Sequence, residues 1–267
     1  PGLGERLLAS TGIDPQVYVS GLYWLDLPDE AAALAWAERE GRELLAPDMA
    51  QVREHVPALG DDFTRALYMP GVANVRNPRL VKALRAELQG LANVRLVEHC
   101  AVQGFLRDEG RICGVATSQG PMAADQVVLA AGAWSGELLA TLGLSLPVEP
   151  VKGQMIMYKC AEDFLPSMVL SKGRYAIARK DGHVLVGSTL EYAGFDKTPT
   201  DQALASLQAS AVALLPALAD AEVVGHWAGL RPGSPDGIPY IGCVPGWDGL
   251  WLNCGHFRNG LVLAPAS

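Results

Sequence analysis

Two arginines stand in glycine-rich segments that directly follow apolar stretches of the sequence. Arg231 lies in Gly-Leu-Arg-Pro-Gly (229–233), and Arg258 lies in Gly-His-Phe-Arg-Asn-Gly (255–260). Glycine lets the backbone bend sharply, and a guanidinium can bind a carboxylate through two parallel hydrogen bonds. Two arginines that converge on one pocket would hold a small carboxylic acid. An isolated arginine more often makes a structural ion pair, and the sequence leaves both roles open for this pair.

Three further side chains could complete such a site. Tyr175 lies in Arg-Tyr-Ala-Ile-Ala-Arg, a predicted strand, and its phenol could donate to a carboxylate while the ring walls the pocket. On spacing alone, a core or interface tyrosine is the commoner role. Trp134, just after Ala131-Gly132, is by default a packing residue, although it could also border a cofactor. His256 is a weaker acid–base candidate, because a lone histidine beside a glycine usually makes a structural hydrogen bond.

The sequence lacks the motifs of several other kinds of site. It contains no Ser/His/Asp arrangement, no His-Glu-x-x-His zinc motif and no phosphate-binding P-loop. Gly2-Leu3-Gly4 resembles the start of a dinucleotide-binding fingerprint, but Leu7 stands where the third glycine is needed. The five cysteines are widely spaced, without a Cys-x-x-Cys pair: Cys100, Cys113, Cys160, Cys243 and Cys254. We therefore expect a reduced chain with no disulfide framework and no metal site.

Composition and charge favour a folded globular protein and disfavour a nucleic-acid-binding or membrane-spanning one. The 267 residues carry 21 Lys and Arg against 29 Asp and Glu, a formal net charge of −8, and 49% are hydrophobic. Such a chain can bury a core, and its negative charge disfavours nucleic acid as a partner. The most apolar stretch, 203–219, is interrupted by Ser206, Gln208, Ser210 and Pro216, so no membrane span is predicted. We expect a cytoplasmic protein, and the sequence is compatible with a homo-oligomer.

Hydrophobic periodicity and turn-forming residues predict a mixed succession of elements. Helices are predicted at 1–12, 31–40, 48–55, 79–89, 136–142 and 200–215. Strands are predicted at 17–27, 66–69, 94–98, 102–107, 112–117, 126–131, 154–159, 168–171, 175–179, 183–188, 223–230 and 250–253. Residues 127–131 are apolar at every position, which is typical of a strand covered on both faces in a parallel sheet.

Two kinds of pattern alternate along the chain. Residues 72–148 and 238–267 look like parts of a covered α/β sheet, whereas 13–71 and 149–237 look like an antiparallel sheet with helices. A discontinuous arrangement explains this alternation better than two successive domains. The predicted fold class is therefore α/β plus α+β.

Seven short motifs are spread over nearly the whole chain, at 98–102, 127–135, 150–154, 186–189, 227–233, 236–242 and 255–265. The last three are the most specific: Trp-Ala-Gly-Leu-Arg-Pro-Gly, Asp-Gly-Ile-Pro-Tyr-Ile-Gly, and a segment that begins Gly-His-Phe-Arg-Asn-Gly. Taken in order, the motifs resemble the glycine/D-amino-acid oxidase family of flavoproteins, and within it the glycine oxidases of thiamine biosynthesis.

The resemblance implies an FAD-dependent oxidation of a small amino acid. In that family a hydride leaves the α-carbon for flavin N5, the imine is hydrolysed to a keto acid and ammonia, and O2 reoxidises the flavin to give H2O2. Arg231 would pair with the substrate carboxylate, Arg258 would assist from a flavin-contacting loop, and Tyr175 would line the pocket. The residues that would border FAD are Val102, on the adenine side, and Ala131, Gly132, Trp134, His256, Phe257, Asn259, Gly260, Leu261 and Val262.

The resemblance also assigns the two kinds of pattern to domains. Residues 72–148 and 238–267 would be parts of an incomplete, Rossmann-like FAD-binding domain, and 13–71 and 149–237 would form the substrate-binding domain. The family's strand–Gly-x-Gly-x-x-Gly–helix, which binds the FAD pyrophosphate, and its C-terminal helix are not among the matching segments. The ends are typical of a fragment, so we expect FAD to be absent or weakly bound in the chain as given.

Two groups of alternatives stay open. A D-amino-acid dehydrogenase or a sarcosine-type oxidase would use a similar site on a different amine or with a different electron acceptor. A cofactor-free fragment or carboxylate-binding module would keep the arginines without redox activity. An absorbance spectrum separates the second group, because bound flavin makes a protein yellow.

Overall fold

Three of the described α-helices begin at a residue whose side chain caps the helix N-terminus. In the computed structural model, which describes residues 2–267, Asp29, Asp48 and Thr200 each accept a hydrogen bond from the backbone N–H three residues later. The α-helices are α1 (Leu3–Thr11), α2 (Glu30–Arg39), α3 (Met49–His55), α4 (Asn77–Gln89), α5 (Ser135–Ala140), α6 (Asp201–Leu214) and α7 (Gly260–Leu263). Short 3-10 helices lie at Gly132–Trp134, Pro216–Ala219 and Ala264–Ala266.

Most strands are short, and antiparallel pairs predominate. They are β1 (Tyr18–Val19), β2 (Leu22–Leu25), β3 (Ala66–Met69), β4 (Ala73–Asn74), β5 (Val102–Asp108), β6 (Arg111–Thr117), β7 (Gly120–Ala123), β8 (Val127–Leu129), β9 (Glu149–Lys159), β10 (Met168–Ser171), β11 (Arg174–Ala178), β12 (His183–Gly187), β13 (Glu222–Gly233), β14 (Tyr240–Cys243) and β15 (Leu250–Cys254).

The chain divides into two compact units, each built from segments that are far apart in the sequence. The first unit contains the residues up to Leu96, Gln154–Thr189 and Pro199–Trp227. The second unit contains Val97–Gly153, Leu190–Thr198 and Ala228–Ser267. Residues 72–96 group with the first unit, where α4 packs against α1. The unit boundaries therefore differ from those of the predicted domains, and the assignment of ranges to cofactor and substrate binding stays a prediction.

The first unit contains most of a mixed seven-stranded sheet, while residues 149–153 of β9 and 228–233 of β13 are counted with the second unit. The strand order of this sheet is β13-β9-β12-β11-β10-β2-β3. The pairs β9–β12, β12–β11, β11–β10 and β2–β3 are antiparallel, whereas β10 and β2 are parallel. Helix α6 packs on β11 and β12. It buries one face, because its four buried residues recur at helical spacing: Ala203, Leu207, Ala211 and Leu214.

The second unit contains two three-stranded sheets. Strands β5, β6 and β7 form an antiparallel meander. The other sheet has the order β14-β15-β8, in which β15 runs parallel to β8 and antiparallel to β14. A separate apolar cluster fills this unit, and its buried members are Ile112, Leu129, Leu139, Val244 and Leu250.

Some predicted strands were wrong. Residues 94–98 form no strand in the described part of the chain, because an apolar alternation makes a strand only where a neighbour supplies hydrogen bonds. The predicted strand over 17–27 is split into β1 and β2 around Gly21, whose φ is +67°. Strand β7 was not predicted, since it contains Pro121, which an edge strand tolerates. Strand β8 is buried at Leu129 but exposed at Val128, so the prediction of two covered faces was also wrong.

Candidate cofactor and substrate site

Two neighbouring parallel strands end at the same edge of the second unit's mixed sheet. Leu250, Trp251 and Leu252 of β15 pair in parallel with residues of β8. Parallel neighbours have their carboxyl ends at one edge, which is where open α/β sheets bind ligands. Among the predicted FAD-bordering residues, Ala131, Gly132 and Trp134 follow β8, and residues 256–262 follow β15. The structure thus brings these two groups to one edge.

A glycine with positive φ opens the turn after each of these strands. Gly132 has a φ of +56° and begins the 3-10 helix that leads into α5. Gly255 has a φ of +75°, and a Cβ there would lie 2.9 Å from the ring of Tyr240 and 3.4 Å from Val148. Both the backbone conformation and the lack of space therefore require glycine at position 255. The carbonyl of Gly255 also accepts a hydrogen bond from Ser234 Oγ at 2.9 Å.

The segment that carries Arg258 is tied to the end of the strand that carries Arg231. The backbone N–H of Phe257 donates to the carbonyl of Pro232 at 3.0 Å. Phe257 and Pro232 are the immediate chain neighbours of the two arginines, so both arginines start from backbone positions held together by this bond. Arg231 is half-buried on β13, whereas Arg258 is exposed. A half-buried arginine can bind an anion away from bulk water, and the attraction between the two charges is stronger there than in bulk water.

His256 has the structural hydrogen bond that a histidine beside a glycine usually makes. Its Nε2 lies 3.0 Å from Ser267 Oγ, and its carbonyl accepts the N–H of Asn259 at 2.9 Å. The second bond closes a turn just before the short helix α7, which contains Gly260, Leu261 and Val262. The backbone after β15 therefore forms a tight turn followed by the start of a helix.

Tyr175 belongs to the first unit, on the central strand β11. Its hydroxyl donates to Met155 Sδ at 3.7 Å, and it pairs across the sheet with Gly187. A Cβ at Gly187 would lie 3.0 Å from Met155 and 3.1 Å from the Tyr175 hydroxyl, so glycine makes room for both side chains. The expectation that Tyr175 lines the same pocket as the arginines stays a prediction.

A cavity of about 930 Å³ lies in the second unit, along β8 and the beginning of β5. Val102, Ala131 and Trp134, all predicted to border FAD, line it; Gly132 and residues 256–262 are outside the lining among the described residues. Its walls are mainly apolar, and Glu137 is the one charged side chain among the described residues that line it.

Sequence reasoning missed the role of the segment Leu190–Thr198, which belongs to the second unit. Phe195 of this segment stacks on Trp134 with ring centroids 5.5 Å apart, and Lys197 Nζ lies 5.9 Å from the same indole. Lys152 Nζ donates to the Thr198 carbonyl at 2.5 Å. The signal was present in the sequence: a lysine inside an apolar strand is rarely buried unless it has a partner.

A buried thiol lies at the end of β15. Burial raises the pKa of Cys254, and the neighbouring Ser135 hydroxyl opposes the shift in part. Ser135 begins α5, just after the turn that follows β8, so this contact joins the chain after β8 to the end of β15.

Among residues 2–267, no three His, Cys, Asp or Glu side chains are arranged to bind a metal ion. Within the same residues, no helix combines the length and apolar character needed to cross a membrane.

Comparisons of the sequence with known proteins identify its family. The family described as FAD dependent oxidoreductase (DAO) matches residues 2–267. The glycine oxidase of Pseudomonas putida is 71% identical over 267 residues, which is 100% of this chain and 73% of the relative. The glycine oxidase of Pseudomonas aeruginosa is 66% identical with the same coverage.

The structural comparison points to the same family. The crystal structure of a glycine oxidase from Bacillus cereus matches 99% of this chain and 74% of its own, with a TM-score of 0.92 and 29% sequence identity. The mixed α/β fold predicted from the sequence is therefore confirmed. The family match over residues 2–267 and the two highly identical relatives show that this chain belongs to the FAD-dependent oxidoreductase (DAO) family.

Proposed function

We propose that the protein oxidises the C–N bond of glycine or another small amino acid with FAD as its cofactor. The observation that carries this proposal is the backbone hydrogen bond from Phe257 to Pro232, which ties the segment of Arg258 to the strand end of Arg231. Two relatives that are 71% and 66% identical are named glycine oxidase, which supports glycine as the first substrate to test.

The two arginines would bind and orient the substrate. Arg231, which is half-buried on β13, would bind the substrate carboxylate through a two-pronged hydrogen bond. Arg258 would assist from its exposed position in the adjacent segment. Tyr175 would wall the pocket and hydrogen-bond the carboxylate. When the carboxylate is held fixed, the α-carbon of the substrate keeps one orientation. Such positioning is how a site without an obvious general base can contribute to the reaction rate.

FAD would be held by the residues at the carboxyl ends of β8 and β15. Val102, Ala131 and Trp134 line one cavity; Val102 would lie on the adenine side of FAD, and Ala131, Gly132 and Trp134 would border the cofactor after β8. The segment from His256 to Val262 would contact the isoalloxazine with its backbone amides. When bound, FAD would supply the two-electron oxidation of the substrate C–N bond, with O2 as the final electron acceptor and H2O2 as the product. The protein's own residues supply the binding, the orientation and the exclusion of water.

Peroxide release tests the substrate and the electron acceptor. The intact flavoprotein is given glycine, sarcosine or D-alanine, and H2O2 is measured; we expect the highest kcat/KM with glycine. Turnover mainly of sarcosine or D-alanine would favour a rival oxidase. Reduction of an artificial dye without peroxide would favour a dehydrogenase, and no turnover in either assay would overturn the proposal.

Arg231→Ala tests the role of the carboxylate-binding arginine. Loss of one charge-assisted, two-pronged contact should raise KM with a free-energy cost of about 2–4 kcal/mol. Arg39→Ala is the matched control, because Arg39 is an exposed arginine on α2 that pairs only with its neighbour Glu40 among the described residues. An unchanged KM in Arg231→Ala would refute the assignment of Arg231.

We infer, as the second candidate, that residues 1–267 taken alone bind FAD weakly or not at all and act as a carboxylate-binding module. The sequence contains no predicted strand followed by Gly-x-Gly-x-x-Gly, which is the usual pyrophosphate-binding element. A polypeptide of these residues should be colourless after purification. A yellow preparation with stoichiometric flavin would contradict this inference.

A further inference from the structure

The guanidinium of Arg231 lies directly against Gly153. Gly153 is buried on β9, and Arg231 lies on β13, the neighbouring strand of the sheet. A Cβ built on Gly153 would overlap both terminal nitrogens of Arg231 and would lie 2.5 Å from Cζ. Carbon atoms in favourable contact are about 3.5–4.0 Å apart. The space in which a side chain of residue 153 would stand is therefore filled by the end of Arg231.

The backbone at position 153 does not itself demand glycine. Sixteen glycines among the described residues have a positive φ, and Gly153 is not one of them. Alanine could therefore adopt the same φ and ψ without strain. Space alone explains the glycine, and the three heavy atoms nearest to such a Cβ all belong to one side chain, that of Arg231.

We propose that Gly153 is a positioning residue for Arg231, and that its missing side chain sets where the guanidinium presents its two donors. This inference rests on the proposed function, in which Arg231 binds the substrate carboxylate. A two-pronged contact needs the fork to lie in the plane of the carboxylate, and a methyl group at position 153 would push it out of place. Since the tip of an arginine is flexible, the protein can fold around the methyl group by moving Arg231.

Gly153→Ala tests the proposal in the intact flavoprotein. We expect KM for glycine to rise at least tenfold, kcat to change less than KM, and acetate, a simple carboxylate, to bind at least tenfold more weakly by calorimetry. Gly229→Ala is the matched control. It makes the same change on the strand of Arg231, two residues away, and a Cβ there would meet nothing within 4 Å. Its KM and acetate affinity should equal those of the wild type.

A double-mutant cycle shows whether Gly153 acts through Arg231. In an Arg231→Ala background the three atoms nearest to the new methyl group are absent, so adding Gly153→Ala should leave KM and acetate affinity unchanged. Equal effects of Gly153→Ala in the presence and absence of Arg231 would overturn the proposal. Unchanged KM in Gly153→Ala together with a raised KM in Arg231→Ala would overturn it while leaving the proposed function intact. An unchanged KM in Arg231→Ala would instead count against the proposed function.

Folding of the variants provides a second criterion. If Gly153→Ala alone fails to fold, the double variant with Arg231→Ala should fold, because the truncation removes the overlapping atoms. Failure of both variants would show that the space around Gly153 is occupied by more than Arg231, and the proposal would be wrong.

Discussion

Replacing the buried Lys152 with methionine should loosen the segment Leu190–Thr198. The Lys152 side chain is 2% exposed, and its ammonium donates to the Thr198 carbonyl at 2.5 Å. It also lies 3.6 Å from an oxygen of Asp196 and 3.9 Å from an oxygen of Glu191. One buried cation therefore holds both ends of this segment, and methionine removes the charge while keeping the apolar stem.

The hydrogen bond from Lys152 to the Thr198 carbonyl sets how much the substitution lowers the free energy of opening the segment. A hydrogen bond to or from a charged group contributes about 1.5–3 kcal/mol. The carboxylates add little, because the side chains of Glu191 and Asp196 are 31% and 56% exposed and water can solvate them after the substitution. Methionine has a similar length and volume, so no large cavity opens. We expect the segment to open about 2 kcal/mol more easily, which is roughly a 30-fold larger open fraction.

Hydrogen exchange and limited trypsin cleavage measure this opening. The amide of Glu191, bonded to the Lys152 carbonyl at 2.9 Å, should exchange faster, and cleavage after the exposed Lys197 should accelerate by a similar factor. Lys159→Met is the matched control. Lys159 is on the same strand β9 and also donates to a backbone carbonyl, that of Asp181 at 2.9 Å, but it is exposed. We expect the control to change exchange and cleavage less than twofold.

Either of two results would refute this reasoning. Exchange and cleavage rates in Lys152→Met that match those of Lys159→Met would show that the buried ammonium does not hold the segment. A loss of global stability with no preferential opening of residues 190–198 would show that Lys152 stabilises the core of the second unit instead. Urea unfolding of both variants separates global from local effects.

Two further predictions concern pH and thiol reactivity. Burial alone would raise the pKa of Asp181, but hydrogen bonds from His183 and Arg76 outweigh it and lower the pKa to about 2. The ionised Asp181 therefore stabilises the fold above its unfolded pKa of about 3.9, and this stabilisation is lost as pH falls towards 2. Between about pH 4 and pH 2 the Tm of Asp181→Asn should fall less than the Tm of the wild type. Parallel Tm profiles of the two proteins would contradict this prediction. Iodoacetamide should modify the exposed Cys243 before Cys254, which is 2% exposed and has a raised thiol pKa. Peptide mass spectrometry measures both rates, and equal rates would show that Cys254 is accessible.

Local chemistry made several elements predictable. The predicted helices at 48–55 and 200–215 are present as α3 and α6, capped by Asp48 and Thr200, and the predicted strands at 175–179 and 183–188 form the antiparallel pair β11 and β12. These features depend on interactions between residues a few positions apart, which a sequence displays directly. The predicted strand at 94–98 was wrong because strand formation depends on a pairing partner far away in the sequence, which the local pattern of residues cannot show.

The sequence determined which groups this protein has for its chemistry: two arginines among glycines, a tyrosine on a strand, and the motifs of a flavoprotein family. Only the tertiary structure decided that β8 and β15, more than a hundred residues apart, are parallel neighbours, and that Gly153 leaves the space in which Arg231 ends. Residue types carry functional groups wherever the chain goes, whereas distances between segments far apart in the sequence arise only when the core packs and the strands pair.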